Sequence, residues 1–80
     1  MWHVYILQCR DGTYYTGVTT DLPKRIQRHN DGKGARYTRS RRPVKVVYTE
    51  DLENRSLAAK REIEIQGFTR EDKLKLIGLK

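Results

Sequence analysis

The sequence predicts an α+β domain: a small antiparallel three-stranded sheet flanked by helices, in the order ββαβαα. Three observations carry that reading. Trp2 to Gln8 and Tyr14 to Val18 are aromatic and β-branched runs separated by an Asp11-Gly12 turn signal, which marks a hairpin. Three later segments have helical capping residues at their starts, with Gly32 and Gly67 stopping the first two. A third apolar run, Val44 to Thr49, is bounded by Pro43 before it and Glu50-Asp51 after it. Sheet and helices then form packed layers around one core. With 80 residues, the chain (1–80) is read as a single domain, with no room for a separate specificity domain.

The first strand is apolar at both odd and even positions, as expected of a strand covered on both faces. Its register against the second strand follows from the turn. A two-residue Asp-Gly turn would set Tyr5 opposite Val18 and put Tyr5 and Tyr15 on opposite faces. A three-residue loop with Gly12 in the left-handed region pairs Tyr5 with Gly17 and Leu7 with Tyr15. Both tyrosines then share a face, and Gly17 leaves space beside the Tyr5 ring. The odd-length loop is the expectation, because shared chemistry requires a shared face.

Thr20 or Asp21 caps the first helix, with Pro23 in its first turn and its end near Asn30, before Gly32. Leu22 and Ile26 form its apolar stripe, and Arg25 and His29, also four apart, lie over one another on a neighbouring stripe. Residues 31–43 are read as a loop, punctuated by Gly32, Gly34 and Pro43 and longer than most connections. After the third strand, Ser56 is read as the cap of a helix from Leu57 to about Gln66. Thr69 with Asp72 opens a last helix to about Ile77.

The net charge of +7 is concentrated. Residues 22–49 hold nine Lys or Arg and one acid, Asp31, while the rest of the chain is nearly neutral. Such a field fits a polyanion, because neutralised phosphates release their condensed counterions. The bland alternative is a solvated loop that aids solubility. Cys9 is the lone cysteine, which excludes an internal disulfide and suits a reducing cytoplasm, the expected location. No signal pattern is read at the N-terminus, and no apolar run approaches a membrane span, so no membrane partner is expected.

Tyr5, Tyr15, Arg25, His29 and Glu62 form an ordered set that a small metal-dependent phosphodiesterase would need. It offers hydroxyls to handle protons, a guanidinium for phosphate and a carboxylate for a cation. Glu62 falls on a helix face with Ala58 and Ile65, where an unpaired carboxylate is costly to desolvate and needs a partner. That partner is a divalent cation, an arginine or water. Glu64 lies about 200° further round the helix. Arg25 is suited to phosphate because its planar fork stays charged and donates twice. His29 could be an ordinary amphipathic histidine, but its spacing from Arg25 suits a proton relay or phosphate contact. His3 reads as structural. In the loop, Lys33, Arg36, Arg39, Arg41 and Arg42 are candidates for the nucleic-acid backbone. Tyr37 among them either stacks on a base or packs the loop onto the core.

Val4-Tyr5, Tyr15-Thr16-Gly17 and Gly32-Lys33-Gly34-Ala35-Arg36-Tyr37-Thr38 resemble the GIY-YIG nuclease family, and in particular its small stand-alone bacterial members. The resemblance spans about residues 3–77. His3-Val4-Tyr5 departs from Gly-Ile-Tyr and Thr16 from the middle Ile; both tyrosines and Gly17 remain. The resemblance implies a GIY-YIG domain that hydrolyses DNA phosphodiester bonds with one Mg²⁺ or Mn²⁺ held by Glu62. It implies that Arg25 clamps the scissile phosphate, that Tyr5 acts as general base toward water, and that Tyr15 positions the water or a phosphate oxygen. Which tyrosine takes the proton, and whether His29 relays it, stays open. The aromatic-bearing loop and the lack of a duplex-reading helix incline the reading toward single-stranded or flexible DNA. Two rivals remain: a non-catalytic nucleic-acid-binding module, and a nuclease subunit that needs a larger DNA-repair partner.

Overall fold

The protein is described from a computed structural model covering residues 1–78. Strands β1 (Trp2–Gln8) and β2 (Tyr14–Thr19) are followed by helix α1 (Leu22–Asn30), a short helix α2 (Arg36–Arg39), strand β3 (Lys45–Leu52) and helices α3 (Arg55–Gln66) and α4 (Arg70–Ile77). The sheet is antiparallel throughout, with strand order β2-β1-β3. β1 is therefore central, which explains its apolar residues on both parities. Val4 and Ile6 pack on Ala58 and Ile65 of α3, while Tyr5 and Leu7 pack on the other side with Cys9, Val44 and the α1 residues Leu22 and Ile26. Each face supplies half a core, and neither half is large enough alone.

The hairpin has the expected odd loop. Cys9 donates its N–H to Thr13 O at 2.8 Å, which encloses residues 10–12, and Gly12 has φ 84°. Tyr5 pairs with Gly17 and Leu7 with Tyr15, so the two tyrosines share a face. A Cβ at Gly17 would meet the Tyr5 hydroxyl oxygen at 2.5 Å, so the ring occupies the space that glycine leaves. At the start of α1, the capping residue is Asp21, which accepts from Lys24 N at 3.2 Å.

Three segments differ from expectation, the first through partners far along the chain and the other two through local hydrogen bonds. β3 runs to Leu52 because Glu50, Asp51 and Leu52 pair with Val4, His3 and Trp2. The two acids are satisfied there: Asp51 Oδ1 is 2.6 Å from His3 Nδ1, and Glu50 receives Tyr48 Oη at 2.6 Å and Arg61 Nε at 3.0 Å. α3 starts at Arg55 because Asn54, an N-cap as good as serine, accepts from Leu57 N at 2.9 Å. The segment 31–43 is not all loop. Residues 36–39 make a helical turn, with Thr38 and Arg39 N–H groups both donating to Ala35 O at 3.2 Å. The start of α4 is as read, with Asp72 N donating to Thr69 Oγ1. Among the described residues no helix is long and apolar enough to cross a membrane.

Candidate active site

The sheet face that carries Tyr5 and Tyr15 is covered by α1. Leu22 and Ile26 seat that helix on the sheet, and the 3.6-residue period then brings His29 inward one turn past Arg25. Tyr5 and His29 are both buried, at 1% and 0% exposed. The Tyr5 hydroxyl lies 3.0 Å from His29 Nε2, and His29 Nδ1 lies 2.8 Å from Thr38 Oγ1. Tyr15 meets the same imidazole edge-on, with ring centres 5.3 Å apart. A Cβ at Gly34 would fall on His29 Nδ1, so the glycine is what lets the chain close over the ring.

Burial dominates the site's acid–base character. It pushes Tyr5 up to about 12, helped by the neighbouring Tyr15 and opposed by the nearby Arg25 guanidinium. Tyr15 is likewise raised by burial and by Glu62, against Arg25. His29 is lowered by burial and then by the Arg25 and Arg28 cations. The resting site at neutral pH thus holds two neutral phenols and a neutral imidazole.

Beside this pair a cavity of about 380 Å³ is lined by Tyr15, Arg25, Arg28, His29, Lys33, Gly34 and Ala35. Three cations and no acid line it, which suits a phosphate. Glu62 reaches the site from α3. Its charge acts on both tyrosines, and burial raises its carboxyl above the ordinary range. Among the described residues Glu62 makes no hydrogen bond or ion pair. The neighbouring acids differ: Glu50 and exposed Glu64 both pair with Arg61. No group of three or more His, Cys, Asp or Glu that could hold a metal occurs among the described residues. A half-buried, unpartnered carboxylate whose charge acts on both phenols does fit a hard cation that draws its other ligands from water and phosphate oxygens.

Tyr5, Tyr15, Arg25, His29 and Lys33 are therefore brought together, with Glu62 within electrostatic reach. The other loop residues divide. Arg41 is committed to the fold: its Nε donates to Asp11 at 3.0 Å, its Nη1 to Tyr37 O at 2.8 Å, and its guanidinium lies 4.0 Å from the Tyr37 ring centre. Tyr37 in turn stacks on Tyr15, with ring centres 6.2 Å apart, so it supports the site's tyrosine while staying exposed itself. Arg42 is tethered to Arg39 O at 2.8 Å and Asn30 O at 3.2 Å. Together Arg39 and Arg42 line a second cavity, of about 500 Å³, with Arg10, Asn30, Ser40 and Pro43. Arg36 is exposed on α2, and neither it nor Lys33 or Arg39 makes a side-chain hydrogen bond or ion pair among the described residues. Sequence reasoning missed Arg28, Arg10 and Thr38. Arg28 could have been found from its position three residues after Arg25; Thr38 closes the motif at residues 32–38, but nothing local gives it a role.

A family model described as the GIY-YIG catalytic domain matches residues 1–75. The chain belongs to the GIY-YIG family. Its similar relatives include a UPF0213 protein of Staphylococcus saprophyticus, 53% identical over 75 residues that cover 94% of this chain and 92% of the relative. A UPF0213 protein of Staphylococcus epidermidis is 53% identical over 74 residues, covering 92% and 90%. The solution NMR structure of a UPF0213 protein from Bacillus halodurans superposes with a TM-score of 0.63 at 44% identity, covering 100% of this chain and 86% of that one. A protein from E. faecalis, also solved by NMR, gives 0.63 and 44%, covering 91% and 78%. The GIY-YIG chain is thus a small bacterial-type member of a nuclease domain family, and the ββαβαα sheet-and-helix order is that family's fold.

Proposed function

We propose that this GIY-YIG chain is a divalent-metal-dependent DNA endonuclease. The observation that supports this best is the Tyr5 hydroxyl 3.0 Å from a buried, neutral His29, beside a cavity lined by Arg25, Arg28 and Lys33. A phenol pushed up to about 12 is a poor preformed base. Coupled to His29 it becomes a proton conduit. The Tyr5 oxygen takes a proton from the attacking water as its own proton passes to Nε2, so no free phenolate has to accumulate. The new oxygen–phosphorus bond forms as the bond to the leaving oxygen breaks. Arg25 donates to the non-bridging oxygens, where charge develops. Arg28 and Lys33 hold phosphate beside it, and Tyr15 orients the water or a phosphate oxygen. Glu62 would hold the Mg²⁺ or Mn²⁺ ion, which when bound neutralises charge on the leaving oxygen. Single-stranded or flexible DNA is the favoured substrate form, since the basic, aromatic-bearing loop after α1, which puts Lys33, Gly34 and Ala35 on the cavity wall, suits an unpaired strand.

The test is incubation with end-labelled single- and double-stranded DNA in Mg²⁺, Mn²⁺ or EDTA, beside Glu62→Ala. Metal-dependent cutting that Glu62→Ala abolishes is the expected result. DNA binding without cutting in any metal would defeat the stand-alone enzyme and leave the binding module or the partnered subunit.

A further inference from the structure

Thr38 belongs to neither signature triplet, yet its side chain is fully buried at 0% exposed and touches the reacting pair. Its Oγ1 lies 2.8 Å from His29 Nδ1 and 3.0 Å from Ala35 O. These two distances fix a direction. A carbonyl oxygen only accepts, so the contact places the one hydroxyl proton of Thr38 toward Ala35 O, which also receives the Thr38 and Arg39 N–H groups at 3.2 Å. With its proton so committed, Thr38 Oγ1 can only accept from the imidazole. Nδ1 therefore carries the ring proton. A neutral imidazole has just one, so Nε2 is bare, and Nε2 is the atom that faces the Tyr5 hydroxyl. The proton directions run from Tyr5 to His29, from His29 to Thr38 and from Thr38 to the backbone.

We infer that Thr38 is a positioning residue that sets the tautomer of His29, holding the ring proton on Nδ1 so that Nε2 is open to the proton of Tyr5. The reverse tautomer would point an N–H at the Tyr5 oxygen, and its one bare nitrogen, Nδ1, would face Thr38 and be out of reach of the Tyr5 proton. The assignment rests on the reading of Tyr5 and His29 as the proton-handling pair. In the reaction one proton moves from water to the Tyr5 oxygen and one from Tyr5 to Nε2, giving an imidazolium. Thr38 Oγ1 then still accepts from Nδ1–H, so the hydrogen bond that selects the starting tautomer also stabilises the charged product. No atom at this end has to reorganise. The helical turn of α2 and Gly34 serve this contact: the turn brings Thr38 back over α1, and the missing side chain at 34 admits the loop against the ring.

The experiment is ¹⁵N NMR of histidine-labelled protein without DNA or metal, in a His3→Gln background so that a single imidazole is observed. Wild type at position 38 is expected to show a protonated Nδ1 and a bare Nε2. Thr38→Val, nearly equal in volume, should lose that preference, and Thr38→Ser should keep it. In cleavage assays Thr38→Val should lower kcat at least tenfold with KM little changed, and Thr38→Ser should recover most of the loss. A protonated Nε2 in the wild-type spectrum would overturn the assignment. So would an unchanged tautomer in Thr38→Val, or a loss of the tautomer in a folded Thr38→Ser. If Thr38→Val does not fold, the wild-type and Thr38→Ser spectra still decide. An Nδ1–H tautomer that depends on Thr38, in a protein that cuts no DNA under any metal, would support the tautomer device and defeat the nuclease reading instead.

Discussion

Gly17→Ala probes the packing on which the site depends. The added methyl carbon would sit 2.5 Å from the Tyr5 hydroxyl oxygen and 2.6 Å from Cζ, against an ordinary contact of 3.4–4 Å, so the ring must withdraw by roughly 1 Å. Tyr5 is 1% exposed and cannot swing into solvent. Overpacking costs about 1–3 kcal/mol. Pulling the hydroxyl off His29 leaves a buried polar group unpaired, for about 1–3 kcal/mol more. The sum, roughly 2–6 kcal/mol, compares with a total stability of about 4–12 kcal/mol for a chain of this length. The variant should therefore melt at least about 10 °C lower yet still fold in the cold. Its cleavage of labelled DNA, assayed well below its Tm, should fall about a hundredfold or more, since the proton conduit is broken. Gly12→Ala is the control: nothing lies within 4 Å of its Cβ, and only the strain of φ 84° is added, about 1–2 kcal/mol. Its activity should follow its folded fraction. Adding Tyr5→Leu to Gly17→Ala should recover part of the stability without recovering activity, a coupling of about 1 kcal/mol or more. Additive stabilities, or a Gly17→Ala protein with wild-type Tm and rate, would refute the close packing of Tyr5 on Gly17.

Three further outcomes follow from the same geometry. Burial, with Arg25 and Arg28 beside it, holds His29 below its ordinary pKa of about 6.5, so the unfolded chain takes up that proton first as pH falls. Unfolding free energy should decline as pH drops from about 6.5 toward the depressed folded value and level off below it; urea titrations of His29→Gln that keep the same pH slope would show that His29 is not buried neutral. Glu62 has its carboxyl raised by burial, so its ionisation opposes folding as pH rises above the ordinary carboxylate range. In EDTA at pH 7, Glu62→Gln should melt at or above wild type, and added Mg²⁺ should raise the Tm of wild type alone; an equal response in both proteins would remove Glu62 as the ligand. Arg39→Ala should weaken DNA binding measured in EDTA and lower the slope of log K against log salt by about 0.7–0.9, with kcat at saturating DNA unchanged; an unaltered slope would show that Arg39 meets no phosphate.

The sequence by itself determined the parts governed by short-range rules. The parity of the hairpin followed from Gly12 and the need for Tyr5 and Tyr15 to share a face, and the observed register agrees. The cap and first turn of α1 were legible, and with them the alignment of Arg25 and His29, because side chains four residues apart on a helix must lie over one another. The covering of β1 on both faces was legible from its unbroken apolar run. Tertiary structure decided what depends on partners far along the chain. β3 continues through Glu50 and Asp51 because Tyr48, Arg61 and His3 satisfy those acids, and no local pattern shows that. Arg41 and Arg42 look like free cations in a basic run, but Asp11, Tyr37 and Asn30 hold them in the fold. Thr38 is the clearest case. A threonine in a glycine-punctuated loop carries no chemistry until the chain folds back over α1 and sets its hydroxyl 2.8 Å from His29, where burial turns one hydrogen bond into the choice of a proton's position.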